Sequence, residues 1–259
     1  MVAFRPHLRT ASRSRSRSAH DLVTHGIGHA IIEGQFPVGS TLPGDAELME
    51  RFAVSRTALR EAMKTLAAKG LIESKTKVGT RVRGQKSWNM FDADILEWRL
   101  QLGVDRPFLE SLFEIRQALE PLAAATAALY RTDDDIERIR SELMAMRLPH
   151  QTKDSFTRAD LAFHRAILDA SANPFLQSMG SVIEAALAAS FTITSPVDSP
   201  ERFELSKQQH GAILDAIAAR DPQGASRAMS TVILQGAMGA EIHRPDAPGF
   251  SIGIKLFGQ

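Results

Sequence analysis

Two sets of side chains in this chain of 259 residues have types and spacings that can do chemistry. The first is ionisable. Asp160 and His164 stand four residues apart in Arg158-Ala159-Asp160-Leu161-Ala162-Phe163-His164, so on a helix both project from one face. His210 opens a second helical run, residues 210–217. A carboxylate and two imidazoles suit a divalent metal such as zinc. The same i,i+4 pair serves equally well as a plain hydrogen bond, so the residues alone leave metal binding open. Arg116 offers a planar fork that can hold a carboxylate ligand. Glu120, four residues on, offers it an ordinary salt bridge instead.

The second set is cationic and lies within residues 54–82. Ser55 occupies the position of a helix N-cap, where its hydroxyl can accept from a free backbone N–H. Leu59, Met63 and Leu66 then recur on one face at helical spacing. Arg56 and Arg60 leave the first turns away from that face. A helix that presents arginines at its N-terminal end, with a basic hairpin behind it, is built for the DNA major groove. There the arginine fork reads the acceptors of a guanine or clamps a phosphate.

The elements that must position these residues can be read outward from them. Residues 20–34 form an amphipathic helix with Leu22, Ile27, Ala30 and Ile31 as the expected buried stripe. Pro37, Gly39 and Pro43 punctuate the link to a short helix, residues 45–52, which Asp45 is placed to cap. A turn at Gly70 then leads to two short strands joined around Gly79. Three helices and a β-hairpin make a winged helix-turn-helix over residues 20–84. Residues 85–90 are a short polar linker. Beyond it helix signals dominate, with no convincing strand alternation. Helices are expected near 92–102, 107–130, 133–147, 152–171, 174–194, 201–220 and 222–241. Asn173-Pro174, Ser199-Pro200 and Asp221-Pro222 each pair a capping residue with a proline at the first helical position. The fold class is therefore mainly α: a winged helix followed by an all-α antiparallel bundle over 91–241, wide enough inside for a ligand. The tail, 242–259, reads as irregular.

Composition agrees with this division. Residues 1–86 hold 15 Lys+Arg and 7 Asp+Glu, a net of +8, and the remainder holds 16 and 23, a net of −7. One half is suited to phosphates and the other is not. Residues 1–19 are rich in Arg and Ser, with no acid before Asp21. They read as a disordered basic arm that adds salt-sensitive phosphate contacts; an organellar transit peptide shares that composition. Cysteine is absent, so disulfides are excluded and a reducing compartment is compatible. No apolar run approaches the roughly 20 residues that a membrane helix needs. A cytoplasmic protein with no membrane partner is expected.

Residues 21–83 resemble the DNA-binding domain of the GntR family. The resemblance is carried by the run from Ile32 through Glu33-Gly34-Gln35-Phe36-Pro37 to Pro43, by Glu47-Leu48, and by Val54-Ser55-Arg56. Leu59-Arg60-Glu61-Ala62, Gly70-Leu71-Ile72 and Gly79-Thr80-Arg81-Val82 extend it. It implies that Ser55, Arg56, Thr57 and Arg60 face DNA from the recognition helix. In the wing, Lys77 would add a contact and Gly79 would mark the tip entering the minor groove. Ala46 stands where many relatives carry a basic residue, which implies one contact fewer.

Residues 91–240 resemble the all-helical FCD effector domain of the FadR-type GntR regulators. Glu114-Ile115-Arg116, Leu119-Glu120-Pro121, Asp160, Phe163-His164, Asn173-Pro174 and His210 carry that likeness. It implies a metal set that includes Asp160, His164 and His210, with Val232 at the place of a fourth ligand. It also implies an effector pocket formed by Arg116, Asp160, His164 and His210. Three ligands with an open position, and a metal-free pocket that binds the effector directly, both remain open. The stretch Asp92-Ala93-Asp94-Ile95-Leu96-Glu97-Trp98 resembles the branch that represses galactonate operons. The implied partners are double-stranded operator DNA, a small hydroxylated carboxylate and a second copy of the chain. A metal-dependent enzyme carrying a DNA-binding appendage is the alternative. No nucleophile elbow, P-loop, dinucleotide fingerprint or H-E-x-x-H motif supports it. DNA packaging would gain nothing from an acidic bundle.

Overall fold

Val23, Ile27, Ala30 and Ile31 recur at helical spacing and are all buried on one side of α1 (Ala19–Glu33). Ile27, Ala30 and Ile31 are buried as expected, but Leu22 is 44% exposed and Val23 takes its place. The i, i+4, i+7, i+8 series that starts at Val23 faces the core, and Leu22 falls on its flank. The computed structural model describes residues 18–75, 78–193 and 195–239. Lys77, the irregular tail and nearly all of the basic arm lie outside them. Ser18 belongs to the fold, where it caps α1 through a capping box with Asp21.

Two further helices complete the first layer. In α2 (Asp45–Phe52) the N-cap is Gly44, without a side-chain bond. Asp45 is therefore a first-turn acid facing the positive end of the helix dipole, not the expected cap. In α3 (Arg56–Ala68) Ser55 is the cap, its hydroxyl accepting from the Ala58 N–H at 3.2 Å. Strands β1 (Ile72–Lys75) and β2 (Gly79–Val82) pair antiparallel in the register Ile72 with Val82 through Lys75 with Gly79. The loop before α2 adds a third rung, bridging Thr41 to Arg81. Gly70 turns α3 into the wing at φ 79°, and a Cβ there would lie 1.9 Å from the Ser87 carbonyl oxygen, so only glycine fits.

Contacts divide the chain after Gly103. Helix α4 (Ala93–Leu102), which the sequence places at the head of the effector domain, thus belongs with the winged helix. The reason is packing. Trp88, Ile95 and Trp98 join the core of Val23, Ile27, Leu48, Leu59 and Leu66. Gly28 makes the contact possible: a Cβ there would sit 2.3 Å from the Trp98 ring. Lys69, at the end of α3, reinforces it with ion pairs of 2.7 Å to Asp92 and Asp94.

Among its described residues the second unit contains helices and no strand. It comprises α5 (Arg106–Tyr130), α6 (Asp133–Met146), α7 (Lys153–Ala170), α8 (Pro174–Gln177), α9 (Gly180–Ile193), α10 (Pro200–Ala218) and α11 (Pro222–Gly239). The caps fall where the sequence puts them: Asn173, Ser199 and Asp221 each accept from backbone N–H groups of the following turn. One expected helix, 174–194, is broken into α8 and α9. The Ser178 hydroxyl donates back to the Pro174 carbonyl at the break, and Gly180 follows. Residues 180–198 are apolar and long enough, by composition, to cross a bilayer, contrary to the expectation that no run would be. That segment is 60% buried. Its apolar character is that of a core helix, with Ile183 and Leu187 packed on Ala123, Leu168 and Leu176.

Candidate functional site

Four helices of the second unit bring the sequence's chemistry to one place. Helix α5 supplies Arg116 and Glu120, α7 supplies Asp160 and His164, α10 supplies Ser206 and His210, and α11 supplies Val232. Within the first three helices the pair is spaced i,i+4, so each helix presents both members on one face. Arg116, Glu120, Asp160, His164 and His210 are all at most 3% exposed. A charge buried that deeply is stable only when it is paired.

The pairing is specific. Arg116 Nε donates to Glu120 Oε1 at 2.5 Å. The other Glu120 oxygen lies 2.5 Å from His164 Nδ1. That second contact has ion-pair distance without hydrogen-bond alignment, since neither atom has a correctly directed partner. Burial pushes the Glu120 carboxyl upward, but Arg116 and His164 overcome it and hold the group at about 2. The Asp160 carboxyl is also lowered: burial opposes ionisation, and His210, His164 and Arg116 outweigh it.

The imidazole tautomers follow from their partners. His210 Nδ1 lies 2.7 Å from the Ser206 carbonyl oxygen. A carbonyl only accepts, so this nitrogen carries the hydrogen, an assignment that rests on the network. In the neutral ring, Nε2 then presents a lone pair to Asp160 Oδ1, 2.9 Å away. Two acceptors so close need either a proton on the ring, as in the lowering of Asp160, or a cation shared by both atoms. His164 has the same plan: Nδ1 faces Glu120, and Nε2 lies 3.9 Å from Asp160 Oδ2 with no partner. One ligand atom from each of Asp160, His164 and His210 lies within 4.8 Å of the others. Two buried imidazole lone pairs and a carboxylate facing one another, each ring backed by an oxygen on its far side, match the donor set and outer shell of a cation site. The residues fit a divalent metal.

These groups line a cavity of about 70 Å³. Arg116, Asp160, His164 and His210 all line it, as does Val232. Arg116 is salt-bridged to Glu120 and also lines the cavity. Four contributions have no counterpart in the sequence reading, the first being the contact of Glu120 with His164. Glu120 bridges Arg116 and His164, which links α5 to α7. Arg202 and Gln209, from α10, also line the cavity, as does Gln235 from α11. Ser206 was legible as the residue one turn before His210; the others are brought in only by packing.

On the first unit Ser55, Arg56, Thr57 and Arg60 are all exposed at the N-terminal end of α3. Arg60 is held only loosely, with Nε 3.7 Å from Glu61. Gly79 is exposed in the wing. Lys77 lies outside the described residues.

Known proteins share this architecture. Residues 21–82 match the family described as Bacterial regulatory proteins, gntR family, and residues 111–235 match the FCD domain. The chain is 35% identical to the galactonate operon transcriptional repressor of Escherichia coli strain K12, over 82% of this chain and 93% of that protein. It is 31% identical to the transcriptional repressor NanR of Cronobacter sakazakii, over 82% and 81%. Among solved structures, Lar, which controls expression of the Listeria monocytogenes agr system, matches with a TM-score of 0.58. That match covers 87% of this chain and 97% of Lar at 18% identity, a likeness of fold.

Proposed function

The chain belongs to the GntR family of bacterial regulatory proteins, with a winged helix and an FCD domain, and from that membership we propose a repressor of a sugar-acid catabolic operon that its effector releases. It is a transcriptional regulator and not an enzyme, as its relatives are. The observation that carries the effector reading is the buried meeting of Arg116, Asp160, His164 and His210 on one cavity. A guanidinium beside imidazoles recognises a carboxylate, and Asp160 can accept from hydroxyls. Asp160, His164 and His210 would hold a divalent cation such as zinc. When bound, it would supply coordination for carboxylate and hydroxyl oxygens of the effector. Glu120 and the Ser206 carbonyl orient the two rings whether or not a metal is present.

Operator binding falls to α3. Ser55, Arg56, Thr57 and Arg60 would contact double-stranded DNA, with Gly79 and Lys77 in the wing. One recognition helix reads few base pairs, so a homodimer on a palindromic site is the working unit. A regulator of this kind acts where the DNA is, in the bacterial cytoplasm. Effector binding would favour one arrangement of the DNA-binding units over another. Calorimetry with a panel of aldonates, with and without chelator, tests the pocket. The expected result is binding that weakens when Arg116 or His210 becomes alanine. Unchanged affinity in both variants would mean that the pocket lies elsewhere.

A further inference from the structure

We propose that Arg202 is a second anion anchor, so that the effector is a sugar acid charged at both ends and not a simple aldonate. The inference rests on the carboxylate-binding reading of the same cavity and refines it. Arg202 is half-buried in the first turn of α10 and lines the cavity together with Arg116. Among the described residues its guanidinium has no hydrogen bond or ion pair. Its charge contributes least to the lowering of the Asp198 carboxyl, which is lowered first by its hydrogen bond to Lys153. Lys153 sits 2.9 Å from that carboxylate and already neutralises it.

Charge balance gives Arg202 its role. The carboxylates at the site are Asp160, which lines the cavity, and Glu120 behind it. Glu120 stays paired with Arg116, so a divalent cation on Asp160, His164 and His210 would keep one charge beyond that of Asp160, and Arg202 would carry a second. A ligand with a single carboxylate satisfies one of these two charges and leaves the other unpaired, which is costly. A ligand with two anionic groups satisfies both.

Spacing agrees. Arg202 precedes His210 by about two turns, ~12 Å along the helix axis, and both line the cavity, so two ends of one ligand would be held apart. Gln209 and Gln235 line the same cavity, and their amides can both donate to and accept from hydroxyls along such a ligand. The second anionic group could be a carboxylate or a phosphate, which share this recognition by arginine.

The test is calorimetry on the full chain with zinc present, using matched probes: an aldonate, the corresponding aldarate and the corresponding 6-phosphoaldonate, in gluco and galacto series. We expect one dianionic probe to bind on the order of 10-fold tighter than its aldonate, as a well-formed charge-assisted pair provides. Whether the aldarate or the phosphate ester is preferred identifies the second group. In Arg202→Gln the ratio of the two affinities should fall to near one, and Arg202→Lys should keep part of it. Equal affinities for aldonates and dianions in the unaltered protein, or a ratio that Arg202→Gln leaves intact, overturn this inference alone. If none of the six probes binds, the carboxylate reading of the cavity falls with it.

Discussion

At the scale of single residues, Glu120 is the hinge of the proposed effector site. It holds Arg116 with one oxygen and faces His164 with the other. Its carboxyl is lowered from an ordinary value of 4.5 to about 2. A depressed carboxylate contributes stability that is present above its unfolded value and lost as pH falls through its folded value. The window here runs from about 4.5 down to about 2, and the contribution is roughly 3 kcal/mol. Glu120→Gln should therefore flatten the loss of stability across that window and destabilise the protein at neutral pH by about 3–5 kcal/mol, because Arg116 loses its buried partner. Urea unfolding at a series of pH values measures both, and an unchanged acid limb would show that Glu120 is not the group responsible. Val232 lines the same cavity and cannot coordinate a metal. Val232→His should raise zinc affinity by about 10-fold or more if its ring reaches Asp160, His164 and His210. Competition with a chromophoric chelator reads this directly, and equal affinity in the two proteins would remove α11 from the metal site.

At the scale of elements, α3 and α4 carry separable predictions. The exposed Arg56 and Arg60 project from the first turns of a capped helix whose other face is fully buried through Leu59, Ala62 and Leu66. Arg60→Ala should weaken operator binding by about 1–3 kcal/mol at fixed salt if the side chain reads a base. An equal loss on unrelated DNA would make it a phosphate contact instead. Helix α4 depends on Gly28, whose missing side chain admits Trp98 to the core of the winged helix. Gly28→Val should drive the indole out, costing about 1–3 kcal/mol by overpacking and red-shifting tryptophan emission. Emission and stability that match the original protein would mean that α4 can dock without this close approach.

At the scale of the whole molecule, the two signs of charge go with two different roles. The basic part carries the exposed arginines of α3, and the acidic part encloses the buried site. Communication between them requires that effector affinity differ between DNA-bound and free protein, and by reciprocity that operator affinity differ with effector. A homodimer is the expected unit in solution with and without DNA. Light scattering of the free protein checks it, and a monomer that binds a palindromic operator with full affinity would refute it.

Much of this protein was legible along the chain because the deciding interactions are local. Ser55, Asn173, Ser199 and Asp221 cap their helices through bonds spanning two or three residues. The Arg116–Glu120, Asp160–His164 and Ser206–His210 pairs follow from helical spacing alone. The gntR-type winged helix and the bundle that follows it in the chain could be recognised for the same reason. What depends on elements distant in sequence could not be read this way. Helix α4 joins the winged helix because Gly28 leaves room for an indole 70 residues later. Glu120 reaches His164, and Arg202 reaches the cavity, only once α5, α7 and α10 are packed together. Which nitrogen of each imidazole faces the ligand space was likewise decided there, because a tautomer is set by the oxygen behind the ring, and for His164 that oxygen comes from another helix.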